Sequence, residues 1–274
     1  YSLKKNLNPR YFIVDHKLRK ESTYEAYKVK GILKSLKINS QVLTWKGKKP
    51  VSNIQSLARS KRYELLFLKC KKLKISNLVL GHHIDDVIEN FFLRMARGSG
   101  LKGLVSLGTN TQIKNINLIR PLIKFDKKDL IFLAKLIFNF YVDDPTNDDI
   151  KFNRIKIRNL IKEFEDFGLD KKKFQLTIEN LKKSNQSIKF YVEKNKRENS
   201  IFNYGKNELM LKENFFDNSH EVIFRSLSDL IHLVGKKPNF VRGKKIENIL
   251  SKIKERKLKK ETLGGCVIKM VNHT

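Results

Sequence analysis

Cysteine is scarce in this chain, which has Cys70 and Cys266 as its only two among 274 residues. Two isolated cysteines exclude a disulfide framework and a cysteine-built zinc site, and they predict a protein of the reducing cytoplasm. Long apolar runs are missing as well. The longest, 130–140, is interrupted by Lys135 and Asn139, whereas a membrane-spanning helix needs about 20 apolar residues. The sequence therefore predicts no membrane segment.

Acidic residues are also in short supply. The chain has 28 Asp and Glu against 58 Lys and Arg, a formal net charge of +30. Such an excess is typical of a protein that binds a polyanion and favours a nucleic-acid partner. Part of the lysine excess has a second explanation, because Lys, Asn and Ile are frequent throughout, as AT-biased coding produces. The charge does not separate RNA from DNA.

Short β-compatible runs alternate with helical patterns through the first part of the chain. The predicted strands cover 11–14, 41–45, 77–80 and 117–120, and the predicted helices begin at Ser22, Ser52, Asp85 and Asp126. This alternation predicts an α/β fold with a Rossmann-like, doubly wound parallel sheet flanked by helices. Ser22 and Glu25 have the spacing of a capping box, and Asp85 is predicted to cap its helix.

We expect three parts: a catalytic-type domain at 1–165, a helical linker at 166–197, and a smaller basic domain at 198–274. A hinge is predicted at 194–200. Within the last part, 236–260 holds eleven Lys or Arg against two Glu, with apolar residues at near-helical spacing. This pattern predicts a helix with one buried and one basic face. A phosphate-tracking surface is favoured there, and a merely solvated face is the alternative.

The stretch 81–103 concentrates more reactive side chains than any other. It places two histidines, three carboxylates and a glycine-rich turn around one short helix, at the carboxyl end of a predicted strand, where open α/β sheets bind ligands. Asp86 and Glu89 are three residues apart and share a helical face. Beside His82 and His83, this acidic pair suits Mg²⁺ or a substrate ammonium better than a phosphate. Capping of the helix by its carboxylates is the alternative. The predicted buried side of this helix consists of Val87, Ile88, Phe91, Phe92 and Met95.

Two pairs of arginines add to this stretch. Arg59 and Arg62 are three residues apart, and Arg154 and Arg158 are four apart, so each pair shares a helix face. Guanidinium groups suit phosphate oxygens and base edges. Asp15 follows the first predicted strand. Singly, each of these residues is equally compatible with a surface ion pair.

Taken in order, these motifs resemble the tRNA(Ile)-lysidine synthetases of the PP-loop ATP pyrophosphatase superfamily over about residues 10 to 165. The stretches that carry the resemblance are Asp15-His16 with Leu18-Arg19 and Glu21-Ser22, Trp45, Ala58-Arg59 with Arg62-Tyr63, His82-His83 with Asp85-Asp86 and Glu89, Arg97 to Leu101 with Gly103-Leu104, Arg120 to Leu122, and Asp144 to Asn147 with Asn153-Arg154 and Arg158.

The resemblance implies a reaction in two steps. ATP adenylates the C2 oxygen of the wobble cytidine of an isoleucine tRNA with a CAU anticodon, and the amine of free L-lysine then displaces AMP. The product, lysidine, changes codon reading from AUG to AUA. ATP and Mg²⁺ are the implied cofactors, tRNA and L-lysine are the implied partners, the implied location is cytoplasmic, and a homodimer is left open.

The resemblance also implies roles for particular residues. The catalytic residues are Asp86 and Glu89, which would bind Mg²⁺ or the amine and accept its proton, and Arg62, which would stabilise phosphoryl charge. The implied nucleotide contacts are His82, Arg59, Gly98, Ser99 and Gly100. The implied substrate contacts are Arg154 and Arg158, for cytosine and its flanking phosphates, and Asp15, for ordering the phosphate loop or the metal.

One motif of the family is missing. Its members carry a Ser-Gly-Gly-x-Asp-Ser loop that cradles ATP phosphates ahead of the strand ending in Asp-His, and this chain, which starts at Tyr1, has none. We therefore expect an N-terminally truncated, inactive fragment, and a truncated C-terminus is left open. The alternatives are a tRNA thiolation enzyme, an amide-forming pyrophosphatase and a non-catalytic RNA-binding remnant. Thiolation is disfavoured by the two isolated cysteines, and the pyrophosphatase by the basic C-terminal part.

Overall fold

The computed structural model describes residues 7–47, 54–113, 115–142 and 153–271. The α-helices, numbered in chain order, are α1 (Ser22–Ser35), α2 (Ile54–Lys72), α3 (Ile84–Met95), α4 (Leu101–Leu104), α5 (Lys127–Phe138), α6 (Asn153–Asp166), α7 (Lys171–Asn199), α8 (His220–Gly235) and α9 (Gly243–Lys254). The β-strands are β1 (Tyr11–Asp15), β2 (Ser40–Thr44), β3 (Asn77–Val79), β4 (Asn110–Ile113), β5 (Ile116–Ile119), β6 (Ser200–Asn203), β7 (Glu208–Leu211), β8 (Lys260–Leu263) and β9 (Cys266–Lys269).

The chain divides into two compact units, Tyr1–Leu176 and Thr177–Thr274. In the first unit, β1 pairs with β2 in parallel, and β3 pairs with β5 in parallel. The α/β class predicted from the sequence is confirmed. Across the described ranges, however, the strands form two sheets, β1-β2 and β3-β5-β4, and β4 runs antiparallel to β5. The sequence did not reveal β4, because its residues Asn-Thr-Gln-Ile lack an apolar alternation.

One apolar core joins the two sheets of the first unit. Its buried members come from α2, β3 and β5, with partly buried Phe12 and Val14 of β1 and Leu43 of β2 packed against them. The buried residues of this core are Leu66, Cys70, Leu78, Ile116 and Leu118. Strand β3 is buried on one face only, because alternate side chains of a strand point to opposite faces. Val79 is accordingly exposed.

The second unit contains two antiparallel hairpins, β6-β7 and β8-β9, and the helices α8 and α9. The predicted amphipathic helix in 236–260 is confirmed as the shorter α9, whose Ile246, Ile249 and Leu250 are buried. All eleven lysines and arginines of 236–260 are exposed. Phe240 lies outside the helix and stacks on His232 with ring centroids 4.0 Å apart.

The predicted hinge at 194–200 is wrong. Helix α7 continues to Asn199, and Asn195 within it is buried. The Asn195 side-chain amide donates a hydrogen bond to the carbonyl oxygen of Phe215 at 3.1 Å. A polar, charged run resembles a linker in sequence, but this run is helical, and its buried amide is hydrogen-bonded as buried polar groups usually are. Among the described helices, none is long and apolar enough to cross a membrane.

Candidate functional site

Polar residues collect where β1, β3 and β5 end. Asp15 is the last residue of β1, the loop with His82 and His83 follows β3, and Arg120 follows β5. The amide N–H of Leu80 donates to the carbonyl oxygen of Ile119 at 2.8 Å, which holds the β3 loop beside the end of β5. Because the carboxyl ends of parallel strands share one edge of a sheet, the β3 and β5 residues border a common region.

Asp15 is buried and receives hydrogen bonds from its own segment. Its Oδ1 accepts from the Lys17 amide and the Ser22 hydroxyl, each at 2.9 Å, and its Oδ2 accepts from the Thr23 hydroxyl at 2.7 Å. Burial opposes ionisation, but these donors, together with the Lys17 charge, outweigh it and hold the pKa of Asp15 below its usual range. Asp15 thus fixes the turn between β1 and α1, and its expected contact with substrate stays a prediction.

The predicted capping box of α1 is wrong. The Ser22 hydroxyl donates to Asp15 and to the carbonyl oxygen of Arg19 instead of capping the helix. Glu25 pairs with the Arg19 guanidinium at 2.8 Å. The buried carboxylate of Asp15 is a charged acceptor, and the Ser22 hydroxyl donates to it rather than to the backbone N–H groups of the helix start.

Helix α3 begins one residue earlier than expected and has a different cap. His83 is its N-cap residue, and the His83 amide donates to Oδ2 of Asp86 at 3.1 Å. The prediction that Asp85 caps this helix is therefore wrong. Of the predicted buried side, Met95 is exposed, because it lies at the last turn where the helix leaves the core. The Asp86 side chain is 20% exposed.

The imidazole of His83 lies between the two aspartates. Its Nδ1 is 3.3 Å from Oδ2 of Asp85, and its Nε2 is 3.5 Å from Oδ2 of Asp86. Burial lowers the pKa of His83, but the hydrogen bond with Asp85 and the charges of both carboxylates outweigh burial and raise it above its ordinary value. The ring therefore links the two carboxylates electrostatically.

Glu89 and Arg158, assigned separately from the sequence, form one ion pair. Nε of Arg158 lies 2.5 Å from Oε1 of Glu89, and its Nη2 lies 3.5 Å from Oε2. The Glu89 side chain is 3% exposed, whereas that of Arg158 is 29% exposed. Burial raises the pKa of Glu89, and the guanidinium offsets only part of this effect. The pair joins α3 to α6.

Several arginines lie close enough to Asp86 and to one another for their charges to interact. Burial of its guanidinium, and then the charges of Arg59 and Arg154, lower the pKa of Arg62, although Arg62 keeps an exposed surface that a ligand can reach. Arg59 packs over the Tyr63 ring with its guanidinium 5.1 Å from the centroid. Asp86 is among the groups that act on Arg62. The arrangement favours an anionic ligand close to one carboxylate.

Two other histidines at this edge, His82 and His16, have lowered pKa values. Burial is the largest cause that lowers the pKa of His82 to about 4; Asp86 opposes it, and Arg120 and Arg59 add to the lowering. Burial, followed by the charge of Arg62, also lowers the pKa of His16. Nδ1 of His82 and Nδ1 of His16 are both buried without a hydrogen-bond partner among the described residues. Each thus lacks the hydrogen bond that a buried imidazole nitrogen usually makes.

The glycine-rich turn after α3 is a helix terminus. Gly98 has a φ of +67°, and its amide donates to the carbonyl oxygen of Met95 at 2.9 Å. The Ser99 amide donates to the carbonyl oxygen of Arg94 at 3.0 Å. Gly100 precedes α4 as its N-cap. The left-handed Gly98 and these two hydrogen bonds are what a helix C-terminus requires, so they explain the turn without a ligand. Contact of this turn with a nucleotide stays a prediction.

Magnesium does not fit Asp86 and Glu89 as a ligand pair. The Glu89 carboxylate is engaged by Arg158 through both oxygens. Nor do three or more His, Cys, Asp and Glu side chains cluster for a metal anywhere in the ranges that the structure describes. No chemical step is therefore assigned to a metal held by this pair. The motif at 144–147, the residue Phe152 and the side chain of Asn153 lie outside the described residues.

Two features of the site were missed in the sequence. Lys171, in a polar stretch, contacts Asp85 at 2.6 Å, and no local pattern marks it. Arg120 is buried and donates to the carbonyl oxygen of Gly108 and the hydroxyl of Thr111, each at 2.9 Å. Its position between an apolar strand and Pro121 was the available signal, since an arginine there ends a buried strand at the ligand edge.

Comparison with known proteins agrees with this architecture. The family model for the PP-loop domain matches residues 1–164. The chain is 33% identical over 267 residues to the tRNA(Ile)-lysidine synthase of Orientia tsutsugamushi strain Boryong, covering 93% of this chain and 59% of that protein. It is also 33% identical over 276 residues to that of Rickettsia felis, covering 98% of this chain and 62% of the relative.

A solved structure shows the same fold. The U34-tRNA thiolase NcsA from Methanococcus maripaludis with its 4Fe–4S cluster matches with a TM-score of 0.53 and 16% identity, covering 65% of this chain and 63% of that one. The chain spans about three fifths of the length of the lysidine synthases described above. With the PP-loop model matched over more than half of its length, the chain belongs to the PP-loop domain family.

Proposed function

We propose that the complete protein ligates L-lysine to C2 of the wobble cytidine of an isoleucine tRNA with a CAU anticodon. The observation that carries the proposal is the position of Asp86 at the start of α3. This carboxylate is partly exposed, and its charge and those of Arg59 on α2 and Arg154 on α6 all influence the pKa of Arg62. Such a site can hold a polyanion and still accept a proton. Similarity to lysidine synthases over more than nine tenths of the chain supports the same reaction.

In the first step, the C2 oxygen of cytosine bonds to the α-phosphorus of ATP, and the bond to pyrophosphate breaks. Arg62 and Arg59 are proposed to stabilise the charge on the phosphoryl oxygens. Arg154, on α6, is the proposed contact to cytosine and its flanking phosphates. His82, neutral at pH 7, is the proposed hydrogen-bonding partner of the nucleotide. Magnesium enters only as the ion that ATP brings.

In the second step, the lysine amine bonds to C2 of cytosine, and the C2–O bond breaks to release AMP. The attacking amine must lose its proton. Asp86 is the proposed proton acceptor. Its Oδ2 accepts a hydrogen bond from the His83 amide, whereas its Oδ1 accepts none from the described residues. Glu89 is the proposed anchor of α6, through Arg158, rather than a second acceptor.

The second unit is proposed to bind the body of the tRNA. The eleven exposed lysines and arginines of 236–260 provide a basic surface, and only Lys252 and Lys257 of these pair with glutamates in the described part of the chain, Glu261 and Glu255. Such a surface suits tRNA, because contacts of Lys and Arg with phosphates supply a large share of the affinity of proteins for nucleic acid. The domain limits 1–165, 166–197 and 198–274, a cytoplasmic location and a homodimer remain predictions within this proposal.

Thiolation is the weaker candidate. Cys70 and Cys266 are buried in the cores of different units, and burial raises the pKa of both thiols. A thiol with a raised pKa is a poor nucleophile and a poor metal ligand near neutral pH.

The test uses the complete protein, ATP, labelled L-lysine and a CAU-anticodon isoleucine tRNA, with lysidine identified by mass spectrometry of the digested tRNA. We expect lysidine at one position, and Asp86→Ala should abolish it while leaving salt-sensitive tRNA binding nearly intact. Asp166→Ala, at an exposed residue of α6, is the matched control and should behave as wild type. Sulfur incorporation instead of lysine would refute the proposal, and tRNA binding without modification would identify an RNA-binding remnant.

A further inference from the structure

A single lysine draws together three carboxylates beside the proposed site. Nζ of Lys171 lies 2.6 Å from Oδ1 of Asp85, 3.3 Å from Oε1 of Glu165 and 3.4 Å from Oδ1 of Asp126. These carboxylates belong to the first turn of α3, the end of α6 and the residue before α5. Three segments of the first unit therefore converge on one ammonium group.

The location of this lysine is unfavourable on local grounds. Lys171 is the first residue of α7, where the helix dipole opposes a positive charge. Its side chain is only 23% exposed. Burial lowers the pKa of Lys171, but the hydrogen bond and charge of Asp85, followed by Glu165, outweigh burial and raise it above its ordinary value. The ammonium is thus held charged by its acidic partners.

A continuous series of contacts leads from Lys171 to the proposed catalytic carboxylate. Asp85, besides contacting Lys171, accepts a hydrogen bond from the Lys127 amide at 3.1 Å. The His83 ring lies between Asp85 and Asp86, and the His83 amide donates to Asp86. Rotation of Asp85 away from this arrangement would remove one of the two carboxylates that lie beside the His83 ring.

We propose that Lys171 is a positioning residue for Asp86, acting through Asp85 and His83. This inference rests on the proposed function only for its effect on lysine transfer. Lys171 itself contacts no proposed substrate atom, and its raised pKa excludes it as a proton acceptor near neutral pH. Its role is to hold Asp85, so that the first turn of α3 presents Asp86 in one orientation.

Apolar packing should keep the first unit folded without Lys171. The Phe92 ring stacks on Phe164 with centroids 5.6 Å apart and on Phe174 with centroids 5.5 Å apart. Phe91 meets Phe174 edge to face at 5.1 Å. These contacts join α3, α6 and α7 independently of the ammonium. A Lys171→Met variant, which keeps most of the stem volume, is therefore a usable test.

The experiment measures amide hydrogen exchange and lysine transfer in the complete protein. In Lys171→Met, we expect the His83 amide to exchange about tenfold faster, because its acceptor Asp86 is no longer held. Lys171→Arg should restore slow exchange. Lys172→Met is the control, because Lys172 is exposed on the same helical turn. The turnover number for lysine transfer should fall about tenfold in Lys171→Met, with the KM for ATP and tRNA affinity unchanged.

Each outcome decides the inference. Unchanged exchange of the His83 amide in Lys171→Met would overturn it, whatever the activity. A loss of turnover, tRNA affinity and melting temperature together, unrescued by arginine, would also overturn it, since that pattern marks a general structural role. If the wild-type protein transfers no lysine, the proposed function fails, but faster exchange in Lys171→Met with rescue by arginine would still support the positioning of Asp86.

Discussion

Removal of Arg158 should expose how much the first unit depends on a paired Glu89. The Glu89 carboxylate is almost fully buried, and Arg158→Met leaves it without its cation. Breaking a buried pair typically costs about 3–5 kcal/mol. Since Arg158 is 29% exposed, we expect a cost at or below the lower limit of that range, about 2–3 kcal/mol at pH 7. In a Glu89→Gln background, the same substitution should cost less than about 1 kcal/mol.

The cost should also depend on pH. Burial already raises the pKa of Glu89, and loss of Arg158 removes the stronger of the two arginines that oppose this rise, leaving Arg154. For an acid with a raised pKa, the folded state binds more protons than the unfolded state, so stability falls as pH rises through that pKa. The penalty of Arg158→Met should therefore be larger at pH 8 than at pH 5, where the carboxyl group of Glu89 can be neutral.

A single tryptophan makes the measurement specific to the correct unit. Trp45 is the only tryptophan of the chain, and it is buried in the first unit, which also contains Glu89. Urea unfolding followed by its fluorescence gives the free energy of unfolding of that unit. Lys162→Met, at an exposed residue of α6, is the matched control. Equal penalties at pH 5 and pH 8, and in both backgrounds, would refute the ion pair.

Three further outcomes are expected. Asp15→Asn should destabilise the first unit at neutral pH, and the loss should shrink as the pH falls below the ordinary pKa of Asp, because an acid with a lowered pKa contributes stability above its unfolded pKa and loses it as pH falls through the folded one; a loss in urea melts that does not change with pH would contradict this. Gly98→Ala should cost about 1 kcal/mol from its positive φ alone, since no atom lies within 4 Å of the new Cβ; an unchanged melting temperature would contradict the strain. Lys244→Gln with Lys245→Gln should reduce the slope of log affinity against log salt for tRNA by about 2, whereas an unchanged slope would leave α9 as solvated surface.

Much of the fold was accessible from short-range patterns. The alternation of apolar runs and helical periods gave β1, β2, β3 and β5 and the helices between them, because burial on one face imposes those periods on the sequence. Strand β4 was not predicted, since a short polar strand has no alternation of apolar and polar residues. The hinge prediction failed for the opposite reason, as a charged run became ordered through the buried amide of Asn195.

In the candidate site, too, local patterns were predictable and contacts between distant residues were not. Residue types and spacing by themselves determined that Asp86 and Glu89 lie on one helix and that each arginine pair does too. That these residues serve one chemistry stays a prediction. The tertiary structure decided how those groups pair. Glu89 and Arg158, 69 positions apart, neutralise each other, and Lys171 engages Asp85 from 86 positions away. The strength of an ion pair depends on distance and burial in space, and neither quantity is encoded in local spacing.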